Sequence, residues 1–518
     1  MNRHTSSLTP TKVIGWRQTL QQHLSSYPKL AVCYALLLGA LGPLGFAPYN
    51  WWFCLIIAFI GLYGLLNLNQ SKTLSGWLGF GFGLGYFGVG ISWVYVSVAS
   101  FGQVGAIGAA AVTFALIALM ALYWGLAARG SYGLRGFPAL APWVCFVTVW
   151  LLAEWLRSTL FTGFPWLLPG YSVQPTPLFE WSVIGGIWFT SALALATAAI
   201  LGELLLGHFR KRSVCLLTVL WLLPLVAPFS GWYQLSPSDP IQVTLVQGNV
   251  PQDQKWLSEN ASPTLSYYQQ ATINHLDSDL VVWPETAITY LLHQIEPYME
   301  GFAAELQQTN TTVITGVPTW DEERQTYFNS VWALGNGFGL YNKQRLVPFG
   351  EYIPLSSWFG PVFDLFGMPM SQFSLGEANQ PTLQAGELAI APFVCYEIVY
   401  PELMRTMVRD SDVLLTISND GWFGDSIGPW QHLQIAQFRA KEMGRYMIRA
   451  TNTGVTAVIN ENGEITAQVP QFVRTTLTSK VTPLTGTTPY VRWGQWPLLF
   501  LVVLFVLAGL PIRNKQTS

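Results

Sequence analysis

Charge is what this sequence has least of. Asp, Glu, Lys and Arg make up 10% of its 518 residues, where a soluble domain carries about 25%, which argues against an ordinary soluble enzyme. Neither sign dominates, with 26 basic against 28 acidic side chains, so nothing suggests a polyanion site and no nucleic acid is expected as a partner. Cysteine is sparse too. Cys33, Cys54, Cys145 and Cys215 lie in or beside apolar runs and Cys395 stands alone in a polar region, which excludes a disulfide framework. No Cys or His residues fall at zinc-site spacing and no GxxxxGK[ST] loop occurs, so neither a metal nor a nucleotide cofactor is expected. Aromatics are plentiful, 23 Trp, 30 Phe and 21 Tyr, and exclude a solvated coil.

The scarcity of charge is local. Between Leu30 and Arg210 only Lys72, Arg129, Arg135, Glu154, Arg157, Glu180 and Glu203 are charged. A bilayer span needs about 20 mostly apolar residues, and the pattern predicts spans near 31–47, 51–68, 76–98, 104–127, 138–156, 183–206 and 214–230. An eighth follows from Trp496 to Leu510. Basic residues cluster in the leader (Arg3, Lys12, Arg17, Lys29) and after spans two, four and six (Lys72; Arg129 and Arg135; Arg210, Lys211 and Arg212). By the positive-inside tendency both termini are then cytoplasmic. The large polar region follows an odd-numbered span and is expected to face outward, which in a Gram-negative bacterium would be the periplasm. The expected organisation is a cytoplasmic leader over 1–30, seven helices over 31–231, an outer domain over 238–485, a last helix over 494–511 and a cytoplasmic tail over 512–518.

The outer region reads as α/β. Strand-like runs at Ile241–Val246, Leu280–Trp283, Thr312–Val317, Ser330–Ala333, Leu388–Val394, Val413–Ile417 and Val455–Ile459 alternate with helical spacing at Thr264–Leu276, Tyr298–Gln308 and Gln431–Tyr446. Such alternation predicts a layered sheet with helices on its outer faces. Three strand ends carry chemistry. Glu285 follows Trp283-Pro284, Lys343 follows Tyr341-Asn342 with Glu351 eight residues on, and Cys395 ends an apolar strand before Tyr396-Glu397. A thiol needs a base to become a nucleophile, and a tetrahedral oxyanion needs a cation or N–H donors. Of the domain's histidines, His275 and His293 fall in helix-like stretches. His432 alone sits in a loop from which it could pair with the thiol. Gly424-Asp425-Ser426-Ile427-Gly428 matches G-x-S-x-G by chance, since no strand leads into the serine and Pro429 follows.

Glu285 after Trp-Pro, Lys343 in Tyr-Asn-Lys and Cys395 in Val-Cys-Tyr-Glu resemble the Glu–Lys–Cys triad of the nitrilase, or carbon–nitrogen hydrolase, superfamily. With membrane spans on both sides the chain resembles the bacterial apolipoprotein N-acyltransferase family. Leu346-Val347-Pro348-Phe349-Gly350-Glu351, Ser418-Asn419-Asp420-Gly421-Trp422-Phe423-Gly424, Ile427-Gly428-Pro429-Trp430-Gln431-His432 and Gln247-Gly248-Asn249-Val250-Pro251-Gln252 with Lys255-Trp256 carry the same resemblance. It implies a multi-pass membrane domain of about eight helices bearing a periplasmic nitrilase-like αββα sandwich, in the inner membrane. It also implies a two-step acyl transfer. Glu285 takes the Cys395 proton, Lys343 stabilises the oxyanion, and an acyl chain passes from a glycerophospholipid, phosphatidylethanolamine by resemblance, through a thioester. The chain then goes to the N-terminal amine of diacylated apolipoproteins. Glu351, Tyr396 and Glu397 match family positions that matter for activity, and Trp256, Asn419 and Trp422 match further functional positions. A membrane-anchored amidase acting on a soluble amide, and an idle lipid-binding scaffold, are the alternatives.

After Glu351 the segment Tyr352 to Met370 is rich in aromatics, Pro and Gly, with Asp364 its only charge. Such a patch suits a lid at the bilayer interface, hinged near Gly350 and Gly367, with Trp358, Phe359, Phe363 and Phe366 as its lipid-facing residues.

Overall fold

The computed structural model describes residues 11–69, 71–134, 141–226, 229, 231–236, 239–348, 350–352 and 373–509. The lid candidates Trp358, Phe359, Phe363 and Phe366 lie outside the described residues.

The first half is helical: α1 (Thr11–Ser26), α2 (Pro28–Leu41), α3 (Trp52–Leu68), α4 (Lys72–Gly90), α5 (Trp93–Phe101), α6 (Gly105–Leu134), α7 (Pro142–Thr159), α8 (Ser182–Leu205) and α9 (Lys211–Val226). Among the described residues four helical stretches, Pro28–Gly45, Gly105–Leu134, Pro142–Thr162 and Pro177–Leu205, are long and apolar enough to cross a bilayer. The pair α4 and α5, bent by 61°, makes a fifth if read as one span. The sequence predicts that pair as one straight span over 76–98; instead it breaks at Ile91-Ser92. Helix α3 and the last apolar helix are shorter, and α9 has 16 residues with Pro224 inside it. Glycines bring α4 close to its neighbours, since a Cβ at Gly79 or Gly85 would collide with the backbone of Trp124 in α6 or Leu36 in α2. Among the described residues of the apolar bundle, Glu154 and Arg157 of α7 form a fully buried ion pair. Arg157 also donates to the carbonyl of Phe164 and so braces the loop that follows.

The second half forms strands β1 (Tyr233–Leu235), β2 (Ile241–Gln247), β3 (Leu280–Val282), β4 (Thr312–Asp321), β5 (Thr326–Gly335), β6 (Gly337–Asn342), β7 (Leu383–Ala385), β8 (Leu388–Val394), β9 (Val413–Ser418), β10 (Met447–Thr451), β11 (Thr456–Ile459), β12 (Ile465–Val469), β13 (Thr475–Val481) and β14 (Leu484–Gly486). Helices α10 (Ser258–Ile273), α11 (Leu292–Gln308), α12 (Pro401–Met407) and α13 (Gly428–Met443) lie among them, and α14 (Pro489–Trp493) and α15 (Trp496–Gly509) close the chain. The strands pair in the order β12-β11-β10-β9-β8-β7-β6-β5-β4-β3-β2-β13. Strand β6 pairs β5 through Gly339–Asn342 and β7 through Gly337 and Phe338. The ribbon folds there into two facing sheets, with β2 lying against β10.

Alternation along the strands assigns the layers. Leu280, Val282 and Ile314 share a core with Ile390, Phe393 and Leu415 of the other sheet. Val281, Trp283 and Val313 turn the other way, onto Leu265 and Tyr268 of α10 and Phe302 and Leu306 of α11. Helix α13 covers the second sheet on one side and packs on α8 of the helical half on the other. Being enclosed on all sides it has few exposed residues, and its buried charges are paired, Arg439 with Glu442 and Lys441 with Glu180.

Candidate active site

Each of the three chemistry-bearing residues sits just past the end of a strand, and the paired strands bring those ends together. Glu285 follows β3, Lys343 follows β6, and Cys395 follows β8 and opens a short 3-10 turn, Cys395–Val399. Cys395 has φ +52°, a left-handed conformation that a non-glycine residue holds only where the surroundings impose it. All three side chains are buried.

Lys343 Nζ lies 2.9 Å from each carboxylate oxygen of Glu351 and 3.5 Å from Oε1 of Glu285. Burial alone would lower its pKa, but Glu351 and then Glu285 outweigh that and hold the ammonium above the ordinary lysine range. Asn329 donates to Oε1 of Glu285 at 2.8 Å and to Oε1 of Glu351 at 3.1 Å, and the Asn419 backbone N–H donates to Oε2 of Glu285 at 2.8 Å. Every oxygen of the two carboxylates is thus directed. Burial pushes the Cys395 thiol well up; Glu285 adds to this and Lys343 opposes it. The resting group is therefore a thiol, with a carboxylate and a cation within electrostatic reach.

Glu397 orients neither the thiol nor the lysine directly. Its Oε1 accepts from Tyr341 Oη and from the backbone N–H groups of Gln344 and Arg345, at 3.0, 2.6 and 3.1 Å. Its Oε2 accepts from the Val394 N–H at 2.7 Å. One buried side chain thereby staples the Lys343 loop to the Cys395 turn, while burial pushes its carboxyl up to about 7. Glu397→Gln keeps the shape but sets an amide N–H against one of these donors. We expect it to cost about 1–3 kcal/mol of stability, read as a lowered Tm, together with slower alkylation of Cys395.

His432 does not approach Cys395 as a base: its Nε2 meets the Cys395 backbone carbonyl at 3.1 Å, and its Nδ1 lies 3.2 Å from Asp420. Arg449 donates to the other Asp420 oxygen at 2.6 Å. Burial works against the Asp420 charge, yet Arg449 and His432 hold that carboxyl down at about 2, while burial lowers His432. This cluster braces the strained turn. Ser426 of the G-x-S-x-G match is occupied in a local turn, where its Oγ accepts from the Gly428 N–H.

The turn also touches the helical half. Tyr396 Oη donates to the Gly163 carbonyl at 3.3 Å, Tyr400 Oη to the Thr162 carbonyl at 3.1 Å, and Tyr352 Oη to Thr162 Oγ1 at 2.8 Å. Trp422 is 41% exposed; its carbonyl accepts from Ser97 of α5 and its ring packs edge-on to Phe101. Trp256 is 52% exposed, at the end of the loop after β2. Asn419 reaches Gln252 of that loop through its side chain. Sequence reasoning named Lys255 only as part of a motif, yet its buried Nζ donates to the Glu285 carbonyl at 2.8 Å. It also missed Asn329, Asp420, Arg449 and Gln431 as individual residues. A buried Asn, Asp or Arg has no periodicity of its own, and the flanking glycines and tryptophans of 418–424 were the available signal.

Comparison with known proteins agrees with this architecture. The Carbon-nitrogen hydrolase family pattern matches residues 242–490 and the Apolipoprotein N-acyltransferase N-terminal domain matches residues 38–200. The apolipoprotein N-acyltransferase of Pseudomonas putida is 40% identical over 481 residues, covering 91% of this chain and 95% of its own. That of Azotobacter vinelandii is 42% identical over 499 residues, covering 93% and 95%. A nitrilase-like domain joined to an apolar helical domain, with 40% identity across both halves, leads to one conclusion: the chain belongs to the apolipoprotein N-acyltransferase family.

Proposed function

We infer that this protein transfers an acyl chain from a glycerophospholipid to the α-amine of the N-terminal S-diacylglyceryl-cysteine of lipoproteins. The observation that carries the reading is Cys395 on its strained turn, with Glu285 and Lys343 in one buried cluster, docked through Tyr396 onto the loop of the apolar helical half. In the first step Glu285 accepts the thiol proton as Sγ bonds to the ester carbonyl carbon, and Lys343 faces the oxyanion. The ester C–O bond then breaks and the lysophospholipid alkoxide takes the proton from Glu285. In the second step the amine attacks the thioester carbonyl, the C–S bond breaks, and the amine proton returns through Glu285 to sulfur. Glu351 and Asn329 orient Lys343 and Glu285, while Asn419 holds Glu285 through its backbone N–H. Half-exposed Trp256 and Trp422 suit the mouth of the site. The donor is phosphatidylethanolamine, cleaved at sn-1.

The remaining expectations belong to the same reading: spans over 31–231 and 494–511, eight in number, a catalytic domain over 238–485 in the periplasm, and both termini cytoplasmic. The placement of Lys72, Arg135 and Arg210–Arg212 supports that orientation. A phosphatase reporter that works only in the periplasm should be active when fused after Leu235 and silent after Lys211. The opposite pair would reverse the topology.

Purified protein given labelled phospholipid and a diacylated lipopeptide should yield an N-acylated peptide and lysophospholipid in equal amounts. Hydrolysis of a soluble amide with no peptide acylation would favour the amidase reading instead.

A further inference from the structure

The two buried lysines of the site are placed in different electrical company. Lys343 is surrounded by the carboxylates of Glu351 and Glu285. Lys255, equally buried, makes one hydrogen bond, to the backbone carbonyl of Glu285 at 2.8 Å, and no ion pair among the described residues. An ammonium has three N–H donors, so two remain for the interior of the site. A buried charge without a carboxylate beside it is costly, and the fold nevertheless holds it there. The loop carrying it is fastened on both sides: the Val250 N–H donates to Asn452 Oδ1 at 3.0 Å, Asn452 Nδ2 to the Val250 carbonyl at 2.8 Å, and Asn419 to Gln252.

Counting charge in the cluster suggests the reason. Glu285 and Glu351 bring two negative charges and Lys343 one positive. Asp420 is balanced by Arg449, His432 is held toward its neutral form, and Glu397, pushed up to about 7, is spanned by neutral donors. Without Lys255 the reacting cluster carries one uncompensated negative charge, both before and after the thiol proton moves to Glu285. A thiolate or an oxyanion would then form inside an already negative pocket. With Lys255 the charges of Glu285 or the thiolate, Glu351, Lys343 and Lys255 sum to zero in both states.

We propose that Lys255 is a positioning residue and the balancing cation of this site. It fixes the backbone of Glu285, where Thr286 next to it has φ +46°, and it neutralises the charge that develops on sulfur and on the oxyanion. The inference rests on the acyl-transfer reading above. Burial brings the Lys255 ammonium down to about 8, with Glu285 and Cys395 pulling the other way, so its charge is lost within an accessible pH range.

The test uses the full-length protein and measures acyl-enzyme formation from phosphatidylethanolamine vesicles in a single turnover, with iodoacetamide alkylation of Cys395 and thermal unfolding as companions. Lys255→Met should slow acylation by roughly tenfold to a thousandfold, the effect of one unit charge at about 4–12 Å in a site of effective dielectric near 20. It should slow alkylation at pH 7 as well, and Lys255→Arg should recover most of both rates. Wild-type acylation should fall as pH rises through about 8, whereas Lys255→Arg should show no fall there. The arginine arm decides the matter even if the methionine variant does not fold. Wild-type rates in Lys255→Met, or the same alkaline fall in Lys255→Arg, would overturn the proposal. Acylation that survives in Cys395→Ala would instead overturn the triad on which it rests, which keeps the two failures apart.

Discussion

Cys395→Ala should leave a folded protein that transfers no acyl chain, with turnover reduced by roughly three to six orders of magnitude. Of the triad, the thiol is the group able to carry a covalent acyl chain, since Glu285 and Lys343 are engaged with each other, with Asn329 and with Glu351. The side chain is small, so alanine leaves the hydrogen bonds of Glu397 and His432 to the backbone around it untouched. Wild type incubated with phospholipid alone should accumulate an acyl-enzyme that hydroxylamine cleaves, and the alanine variant should accumulate none. Cys395→Ser should behave like alanine within about tenfold, because a buried hydroxyl beside Glu285 is a far weaker acid than a thiol. Full turnover by the serine variant would falsify the assignment of the nucleophile.

Lys343→Met carries the second large effect, and it differs in kind because it damages stability as well as chemistry. Removing the ammonium leaves Glu351 and Glu285 facing one another through Asn329 with no cation between them. Breaking a buried pair by deleting one partner typically costs about 3–5 kcal/mol, and losing an oxyanion donor about 10²–10³ in rate. The two like charges then face each other, so the variant should gain stability as pH falls from about 9 to about 5, whereas the Lys343 ion pairs leave wild type level across that window. The sign for wild type follows from the raised pKa of Lys343. Its ion pairs contribute fully below the unfolded lysine value and are lost only as pH rises through the still higher folded one. Thermal unfolding of both proteins between pH 5 and pH 9, about neutral, measures this directly. A variant whose Tm follows wild type across that range would show that the lysine makes no net contribution to the fold.

Much of this arrangement is legible in the sequence, and the reasons differ by element. Leu280–Val282, Leu388–Val394 and Val413–Ser418 are buried on both faces, so they read as unbroken apolar runs and their ends were placed within a residue or two. Strand β12 alternates half-buried and exposed residues and β13 is mostly Thr, Ser and Lys with only Val481 buried, which gives them little apolar signal, and they were missed. Helix α13 was predicted over Gln431–Tyr446 and runs from Gly428 to Met443; Gly444, at φ +65°, ends it, and β10 begins at once. Periodicity gives no warning there, because a helix packed on both sides has no polar face. In the apolar half, hydropathy located the helices but not the bend between α4 and α5, where the Gly90 carbonyl meets a side chain 341 residues away in sequence. Glu285, Lys343, Cys395 and Glu351 were named through strand-end chemistry and motif resemblance together, and the structure gathers them at one set of strand ends. The staple made by Glu397 and the placement of Lys255 could not be, since both act on backbone atoms whose positions only the folded chain defines.

Gln431 occupies that bend. Its Oε1 accepts from the indoles of Trp93 and Trp166 at 3.2 and 2.7 Å, and its Nε2 donates to the Gly90 carbonyl at 3.1 Å. The next residue is His432, whose ring meets the Cys395 carbonyl. One peptide bond thus separates the anchor in the apolar half from the anchor on the nucleophile's own backbone. The sulfur consequently has a fixed altitude relative to the apolar helices, set by a rigid helix rather than a tether. In a bilayer the ester carbonyls of a lipid lie in a thin stratum at the top of the hydrocarbon, whatever the length of the tail beneath. On the acyl-transfer reading, a carbonyl held at that level would come within reach of the sulfur, and one carried well above or below it would not.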